Sequence, residues 1–375
     1  MPIGIDYTPA YEQGGGIGRY VRELIAALAM QDAAQPYRLF VAGARRAVLP
    51  PAPAANFRYA TTRLLPLTLA RLWHRTRLPL PIELFTGSLR LFHATDFVLP
   101  PTLPRTHTLL TVHDLSFARV PQSAAPRLKA YLEAVVPRSA HRADHILADS
   151  AATKADLMAL YGIPESKITV LYSGVSAAFT PIHDADAQAA VRAKYGIGSA
   201  PYVLAVGTVQ PRKNYERLMQ AIAALPARFA DVKLVIVGGR GWLDAPIHAQ
   251  ARALGERVQF VGFADEEDLP TLYSAAACIA FPSLYEGFGL PVLEGMACGV
   301  PVLTANVSSL PEVAGDAALM IDPYSVEAIR VGLIALLEED SAARAARLER
   351  GFAQVARFTW QAAAHQLKTL YDQWR

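Results

Sequence analysis

Two α/β domains, each a parallel sheet wrapped by helices, are what this sequence of 375 residues predicts. Short apolar runs of strand length alternate with helical patterns along the whole chain. The chain is also too long for one ordinary core. Near its middle, Ser173–Ala187 ("SGVSAAFTPIHDADA") holds small residues, Pro181 and no apolar period. The boundary belongs there, giving domains 1–173 and 174–358.

In the first half, "IGID", "YRLFVA", "LRLFHA", "HTLLTVHD", "ADHILAD" and "KITVLYS" read as strands. In the second, "PYVLAVG", "VKLVIVGG", "ERVQFVGF", "ACIAFPS" and "VPVLTA" do. Helical patterns such as "GRYVRELIAALAM", "APRLKAYLEAVVPRSAHR" and "SAATKADLMALYG" lie between them. After Arg357, "FTWQAAAHQLKTLYDQWR" reads as a last helix, about 359–375, whose aromatics suit packing back on the first domain or on the second.

Composition narrows the classes. At 52% hydrophobic and 18% charged, the chain is globular and not disordered. No apolar run reaches the roughly eighteen residues of a membrane span. The start, "MPIGIDY", lacks the basic and apolar regions of a signal peptide, so a cytoplasmic protein is expected. Cys278 and Cys298 fall in apolar segments and read as buried free thiols. No zinc spacing is present.

Charge is unevenly spread. Residues 1–175 hold 19 Lys/Arg against 12 Asp/Glu, and residues 176–375 hold 17 against 21. The basic half suits an anionic partner. Within it, Thr61–Pro81 ("TTRLLPLTLARLWHRTRLPLP") sets Arg63, Arg71, Arg75 and Arg77 among leucines and Trp73. Such a segment suits peripheral contact with an anionic membrane, or a helix with a basic solvent face.

The richest stretch is "FPSLYEGFGLPVLEGMACGVPVLTA", Phe281–Ala305. "ACIAF" reads as a strand, "PSLYEGFGL" as a loop, and "PVLEGMAC" as a helix stopped by Gly299. Pro291 suits a first helical turn. Glu286 then lies in the loop and Glu294 in the first turn of the helix, at the carboxyl end of a strand where open α/β sheets bind ligands.

"VGTVQPRKNYERL" places Arg212 and Lys213 just past another strand's carboxyl end, where adjacent cations suit a diphosphate. "YEQGGGIGRYVREL" places Gly14, Gly15, Gly16 and Gly18 between a strand and a helix, a place for an anion against backbone N–H groups. The run is not G-x-G-x-x-G and no acid closes "YRLFVAG", so dinucleotide binding is disfavoured. "LLTVHDLSF" sets His113 and Asp114 at a strand end, where the histidine suits a sugar oxygen or a proton shuttle. His93 in "LFHATDF" is similarly placed. Asp184 and Asp186 in "HDADA" read as acids capping a helix N-terminus in preference to a metal site. Cations for phosphate and carboxylates for hydroxyls together suit a sugar nucleotide.

This constellation resembles the retaining glycosyltransferases of family 4. Its carriers are "EGFGLPVLE" (Glu-x7-Glu), "GTVQPRKN", the glycine loop and "VHDLSF", with "VGGRGW" and "SAATKADL" in support. The resemblance covers nearly the whole chain. It implies the GT-B architecture: two Rossmann-like, doubly wound α/β domains facing across a cleft. It implies sugar transfer from a nucleoside diphosphate with retained anomeric configuration, and neither metal nor cofactor.

By resemblance, Arg212 and Lys213 hold the diphosphate, with Gly15 and Gly16 of the other domain. Glu294 holds the ribose. Glu286, with the backbone of Gly287, Phe288, Gly289 and Leu290, holds the donor sugar. His113 sits near the reacting sugar, and Gly262 and Phe263 touch the base. Relatives often carry Asn-Gly-(Val/Ile)-Asp at the domain junction; this chain has "SGVS", Ser173–Ser176, so no role passes to that turn. "HDLSF" and the "PRKN" loop look most like bacterial mannosyltransferases of polysaccharide assembly. GDP-mannose is then the expected donor, with glucose, rhamnose and N-acetylglucosamine donors open. A glycan or polyprenyl-diphosphate-linked saccharide is the expected acceptor, and no nucleic acid is expected. A nucleotide-sugar epimerase or a non-catalytic sugar-nucleotide-binding subunit are the alternatives.

Overall fold

In a computed structural model, residues 1–45 and 49–374 are described. The chain packs as two compact units, one of Met1–Leu115, Ala130–Gly174 and Thr359–Arg375, the other of Ser116–Lys129 and Val175–Phe358. Residues 116–129 thus leave the unit to which the sequence assigned them.

The first unit holds seven strands: β1 Ile3–Asp6, β2 Tyr37–Ala42, β3 Phe57–Thr62, β4 Leu91–Ala94, β5 His107–Val112, β6 His145–Ala148 and β7 Ile168–Val170. They form one parallel sheet in the order β3-β2-β1-β4-β5-β6-β7. The second unit holds β8 Tyr202–Val206, β9 Lys233–Val237, β10 Val258–Gly262, β11 Cys278–Phe281, β12 Val302–Ala305 and β13 Leu319–Ile321. Its parallel order is β10-β9-β8-β11-β12-β13. Both are doubly wound orders, reversing between β1 and β4 and between β8 and β11, where such sheets open a crevice at the strands' carboxyl ends.

Central strands are apolar throughout because helices cover both faces. "CIAF" and "VLTA" are buried at every position. The edge strands β3 and β13 escaped the sequence reading because they lack such a run. "FRYATT" is half exposed, and "LMI" has three residues.

Helix Gly16–Gln31 buries Tyr20, Val21, Leu24, Ile25 and Leu28, a stripe at helical spacing. Against it lies helix Trp360–Asp372, whose N-cap Thr359 accepts from the Ala362 N–H. Trp360, Leu367 and Tyr371 join the first unit's core, so the last helix packs there. Arg375, the end of the expected helix, lies outside the described residues. Gly174 of the "SGVS" turn passes so close to this helix that a Cβ would lie 2.1 Å from the Trp360 nitrogen.

His93 is fully buried, bonded to the Tyr371 hydroxyl at 2.7 Å and to Thr111 Oγ1 at 2.8 Å. Burial holds its pKa down at about 3, so it is a neutral tie between sheet and last helix. Cys278 and Cys298 are free and buried, and burial lifts both thiols to about 12.

The last helix is held by apolar packing, and Leu367 is wholly inside. Leu367→Ala should destabilise the first unit by about 2–5 kcal/mol in urea unfolding. A loss below about 0.5 kcal/mol would show that the helix is not integral to that core.

Candidate donor site in the second unit and charge cluster in the first

At the carboxyl end of β8 the chain turns at Gly207, φ +145°, where a Cβ would sit 2.9 Å from Lys213 Cε. Glycine there lets the lysine stem lie flat on the backbone. Pro211–Lys213 makes one 3-10 turn, and Asn214 follows with φ +61°, a conformation asparagine tolerates. Its buried Nδ2 donates to the carbonyls of Pro282 (2.9 Å) and Pro323 (2.7 Å). Asn214 thereby fastens the loop after β8 to the ends of β11 and β13.

The loop after β11 arrives beside it. Arg212 Nη1 donates to Glu286 Oε2 at 2.5 Å and to the Tyr285 carbonyl at 2.7 Å. Lys213 Nζ donates to Glu286 Oε1 at 2.7 Å and stands 4.5 Å from the Phe281 ring centroid. All three charged side chains are nearly buried. Burial would raise the Glu286 pKa, but Arg212 and Lys213 hold it down to about 2, so the carboxylate is ionised.

The backbone of this loop is fixed as well. The Glu286 N–H donates to Ser308 Oγ at 2.9 Å, and Ser309 Oγ reaches the carbonyls of Glu286 (3.0 Å) and Phe288 (2.6 Å). Gly289, φ +125°, ends the loop, where a Cβ would press on Leu310 at 2.9 Å. Phe288 turns its ring into the core against Phe358, which leaves only its backbone for a ligand, beside that of the buried Gly287.

Helix Leu290–Ala297 begins one residue before Pro291, so Glu294 falls just past the first turn where the sequence placed it. Glu294 is buried and accepts the Tyr273 hydroxyl at 2.7 Å. Gly299, φ +69°, closes the helix.

Phe263, beyond Gly262 (φ +79°), is 75% exposed. Its ring covers Gly239, where a Cβ would lie 2.2 Å from it. Gly238 passes Gly207 so closely that a Cβ would sit 2.1 Å from the Gly207 carbonyl oxygen. The ends of β8, β9 and β10 thus form one tight backbone platform with an exposed aromatic face.

In the first unit, Gly14, Gly15 and Gly16 are exposed, and a Cβ on any of them would meet nothing. Gly18 is the glycine that sterics demand, since a Cβ there would lie 1.9 Å from the Gln13 carbonyl. His113 is buried between Tyr20 and Phe97. Its Nδ1 lies 2.7 Å from Asp149 Oδ2 and its Nε2 lies 2.8 Å from the Thr95 carbonyl.

A carboxylate and a carbonyl only accept, so both ring nitrogens carry protons. Burial would lower the pKa, but Asp149 and Asp96 raise it to about 9. With those partners both ring N–H groups point into the unit, and the raised pKa favours the charged ring. Asp184 caps helix Ala185–Lys194, accepting from the N–H groups of Asp186 and Ala187.

Sequence reading missed Asn214, Ser308 and Ser309. The asparagine after "PRK" and the paired serines after β12 were the available signals, but their partners lie far off in sequence.

The raised His113 pKa has a signed consequence. Its contribution to stability is complete below pH 6.5 and fades as pH climbs through about 9. Wild-type stability should fall across that window by roughly 3 kcal/mol more than that of His113→Gln, because each tenfold gain in proton affinity on folding is worth about 1.4 kcal/mol. Parallel curves from denaturant unfolding at stepped pH would refute the charged assignment.

A model described as Glycosyltransferase Family 4 matches residues 14–179, and one described as Glycosyl transferases group 1 matches residues 188–354. The O-antigen chain mannosyltransferase B of Escherichia coli is 34% identical over 373 residues, 95% of each chain. The serotype-specific mannosyltransferase WbdA of Escherichia coli is 31% identical over 230 residues, 60% of this chain and 28% of that one. Sucrose-phosphate synthase from Thermosynechococcus elongatus matches with TM-score 0.76 and 24% identity, over 100% of this chain and 98% of that one. WaaG, a glycosyltransferase involved in lipopolysaccharide biosynthesis, matches with TM-score 0.73 and 19% identity, over 98% of both chains. The last two show the fold alone. With its paired Rossmann-like units and near full-length likeness to a mannosyltransferase, the chain belongs to glycosyltransferase family 4 and is an enzyme of GT-B architecture.

Proposed function

We propose that this glycosyltransferase moves mannose from GDP-mannose to a glycan or polyprenyl-diphosphate-linked acceptor in polysaccharide or lipopolysaccharide assembly, with retention and without a divalent metal. The observation that carries the donor chemistry is the Arg212–Glu286–Lys213 cluster at the reversal point of the second sheet. Two cations against one carboxylate leave one positive charge to attract a diphosphate. The names of the relatives favour mannose.

In the reaction, the bond between the anomeric carbon and the diphosphate oxygen breaks, and its electron pair leaves with that oxygen. An acceptor hydroxyl oxygen bonds the anomeric carbon, and its proton passes to the departing diphosphate. Arg212 and Lys213, fixed beforehand by Asn214, Gly207 and Phe281, take up the charge that grows on the leaving group. Such preorganised cations supply what a divalent ion would supply elsewhere. Glu286 and Glu294 accept hydrogen bonds from sugar and ribose hydroxyls, and Phe263 offers the base a face for stacking.

A screen of GDP-mannose, UDP-glucose, UDP-N-acetylglucosamine and dTDP-rhamnose with a lipid-linked acceptor, in excess EDTA, tests this reading. Transfer from GDP-mannose with retained configuration is expected. Preference for another donor, inversion, or activity restored only by Mg²⁺ or Mn²⁺ would each overturn the corresponding part.

We also infer that the first unit rests on the anionic inner face of a membrane. Among the described residues no helix is long and apolar enough to cross one. From Ala33 to Ile82 the sequence has no acidic residue and eight arginines. The Thr61–Pro81 segment forms a short helix, Pro66–Ala70, that runs into a π-helical turn, Arg71–Arg75. Leu69 anchors it inward, while Leu64, Leu65, Leu67 and Leu78 face solvent together with Arg63, Arg71, Arg75 and Arg77. Exposed leucines among arginines suit the boundary of headgroup and acyl chain.

Each arginine near an anionic surface contributes about 1 kcal/mol, screened by salt. The Arg71→Ala, Arg75→Ala, Arg77→Ala triple variant should therefore bind phosphatidylglycerol vesicles roughly a hundredfold more weakly. Unchanged sedimentation with those vesicles would show the segment to be a solvated face.

A further inference from the structure

We propose that Glu286 is the enzyme's internal competitor for the diphosphate: it retakes Arg212 and Lys213 after transfer and so favours departure of the nucleoside diphosphate product over loss of the intact donor. This rests on the reading of Arg212 and Lys213 as the diphosphate contacts.

The geometry gives the carboxylate two jobs that conflict. Its two oxygens are already shared out, Oε2 to Arg212 and Oε1 to Lys213, at 2.5 and 2.7 Å. A diphosphate at these side chains would share their N–H donors with that carboxylate. Nor can the competing groups drift apart. The Glu286 backbone is bonded on both sides, through its N–H to Ser308 and its carbonyl to Ser309. Lys213 is held between Gly207 and the Phe281 ring. The backbone carbonyl of Arg212 accepts the Leu284 N–H, so its own loop is tied to that of Glu286. A diphosphate at these cations therefore stands close to a negative charge that stays ionised down to strongly acid pH.

Donor and product feel that charge differently. The donor carries sugar hydroxyls beside its diphosphate, and they can donate to the carboxylate oxygens as the cations turn toward phosphate. The product has lost the sugar. It brings more negative charge and no donor for Glu286, so the carboxylate repels it and reclaims the cations. A residue that only recognised the sugar would leave product affinity untouched. A residue that only braced the loop would weaken both ligands on removal.

The test is calorimetric binding of GDP and UDP, with product inhibition measured beside it. Glu286→Gln keeps the shape and removes the charge. It should bind the preferred nucleoside diphosphate at least tenfold more tightly than wild type, show a correspondingly lower inhibition constant, and bind donor no more tightly. Glu286→Ala serves as a second variant, read by thermal unfolding: the diphosphate should raise its melting temperature more than that of wild type. Product binding equal to or weaker than wild type in both variants overturns the inference. Lys213→Ala separates this from the underlying reading. If it weakens product binding and the Glu286 variants do not tighten it, only the competitor role falls. If it leaves product binding unchanged, the diphosphate site falls and the competitor role with it.

Discussion

A carboxylate removed from water keeps its charge only where cations and hydrogen-bond donors replace the hydration it has lost. Glu286 meets that condition with Arg212 and Lys213, and much of the second unit is arranged so that it can. The pairing joins loops 73 and 74 residues apart in sequence. They meet because β8 and β11 are neighbours in the sheet, at the place where its order reverses. Asn214 then ties one loop to the end of β11, and Ser308 and Ser309 tie the other to the segment after β12. Removing one partner of such a cluster strands a buried charge, a cost far above that of an exposed ion pair. The cluster thus specifies the fold locally.

The first unit buries charge by a different solution. His113 is a cation whose two N–H groups are spent on Asp149 and Thr95, with aromatic rings of Tyr20 and Phe97 closing its sides. Its positive charge, set among Asp96 and Asp149, moderates a group of carboxylates near the carboxyl ends of β4, β5 and β6. Arg212 and Lys213 share one carboxylate between them. His113 offsets acids of its own unit, which steadies the strand ends.

The sequence was most legible where a pattern is local. Central strands show as apolar runs because both faces are buried, and the helix after β11 shows through Pro291 and Gly299. Edge strands β3 and β13 were not legible, since a strand with one bare side needs no apolar run. Arg212, Lys213 and Glu286 stand out in the sequence as loop residues past strand ends, and Glu294 as a carboxylate in the helix that follows. That Glu286 pairs with both cations was not legible, because spacing along the chain carries no record of which loops a sheet brings together. The partners of His113 were not legible for the same reason. Its role depends on Asp149 and Thr95, 36 and 18 residues away, and neither motif spells out the contact.

Glycine content shows the same limit from another side. "GGGIG" draws the eye, yet Gly14, Gly15 and Gly16 face open space and no neighbour requires them. Gly207, Gly238 and Gly239 look incidental in "AVGTV" and "IVGGRG", yet at each an atom lies within 3 Å of where a Cβ would stand, backbone at Gly238 and a side chain at Gly207 and Gly239. The two sets therefore do different work. In the second unit glycine lets three strand ends and a lysine stem close into a tight platform. In the first unit the glycine loop stays bare at the start of helix Gly16–Gln31, where backbone N–H groups without side chains in front of them are open to an anion. A side chain at Gly238 would be felt first as misfolding of the strand ends. One at Gly15 or Gly16 would be felt first by whatever approaches the helix end.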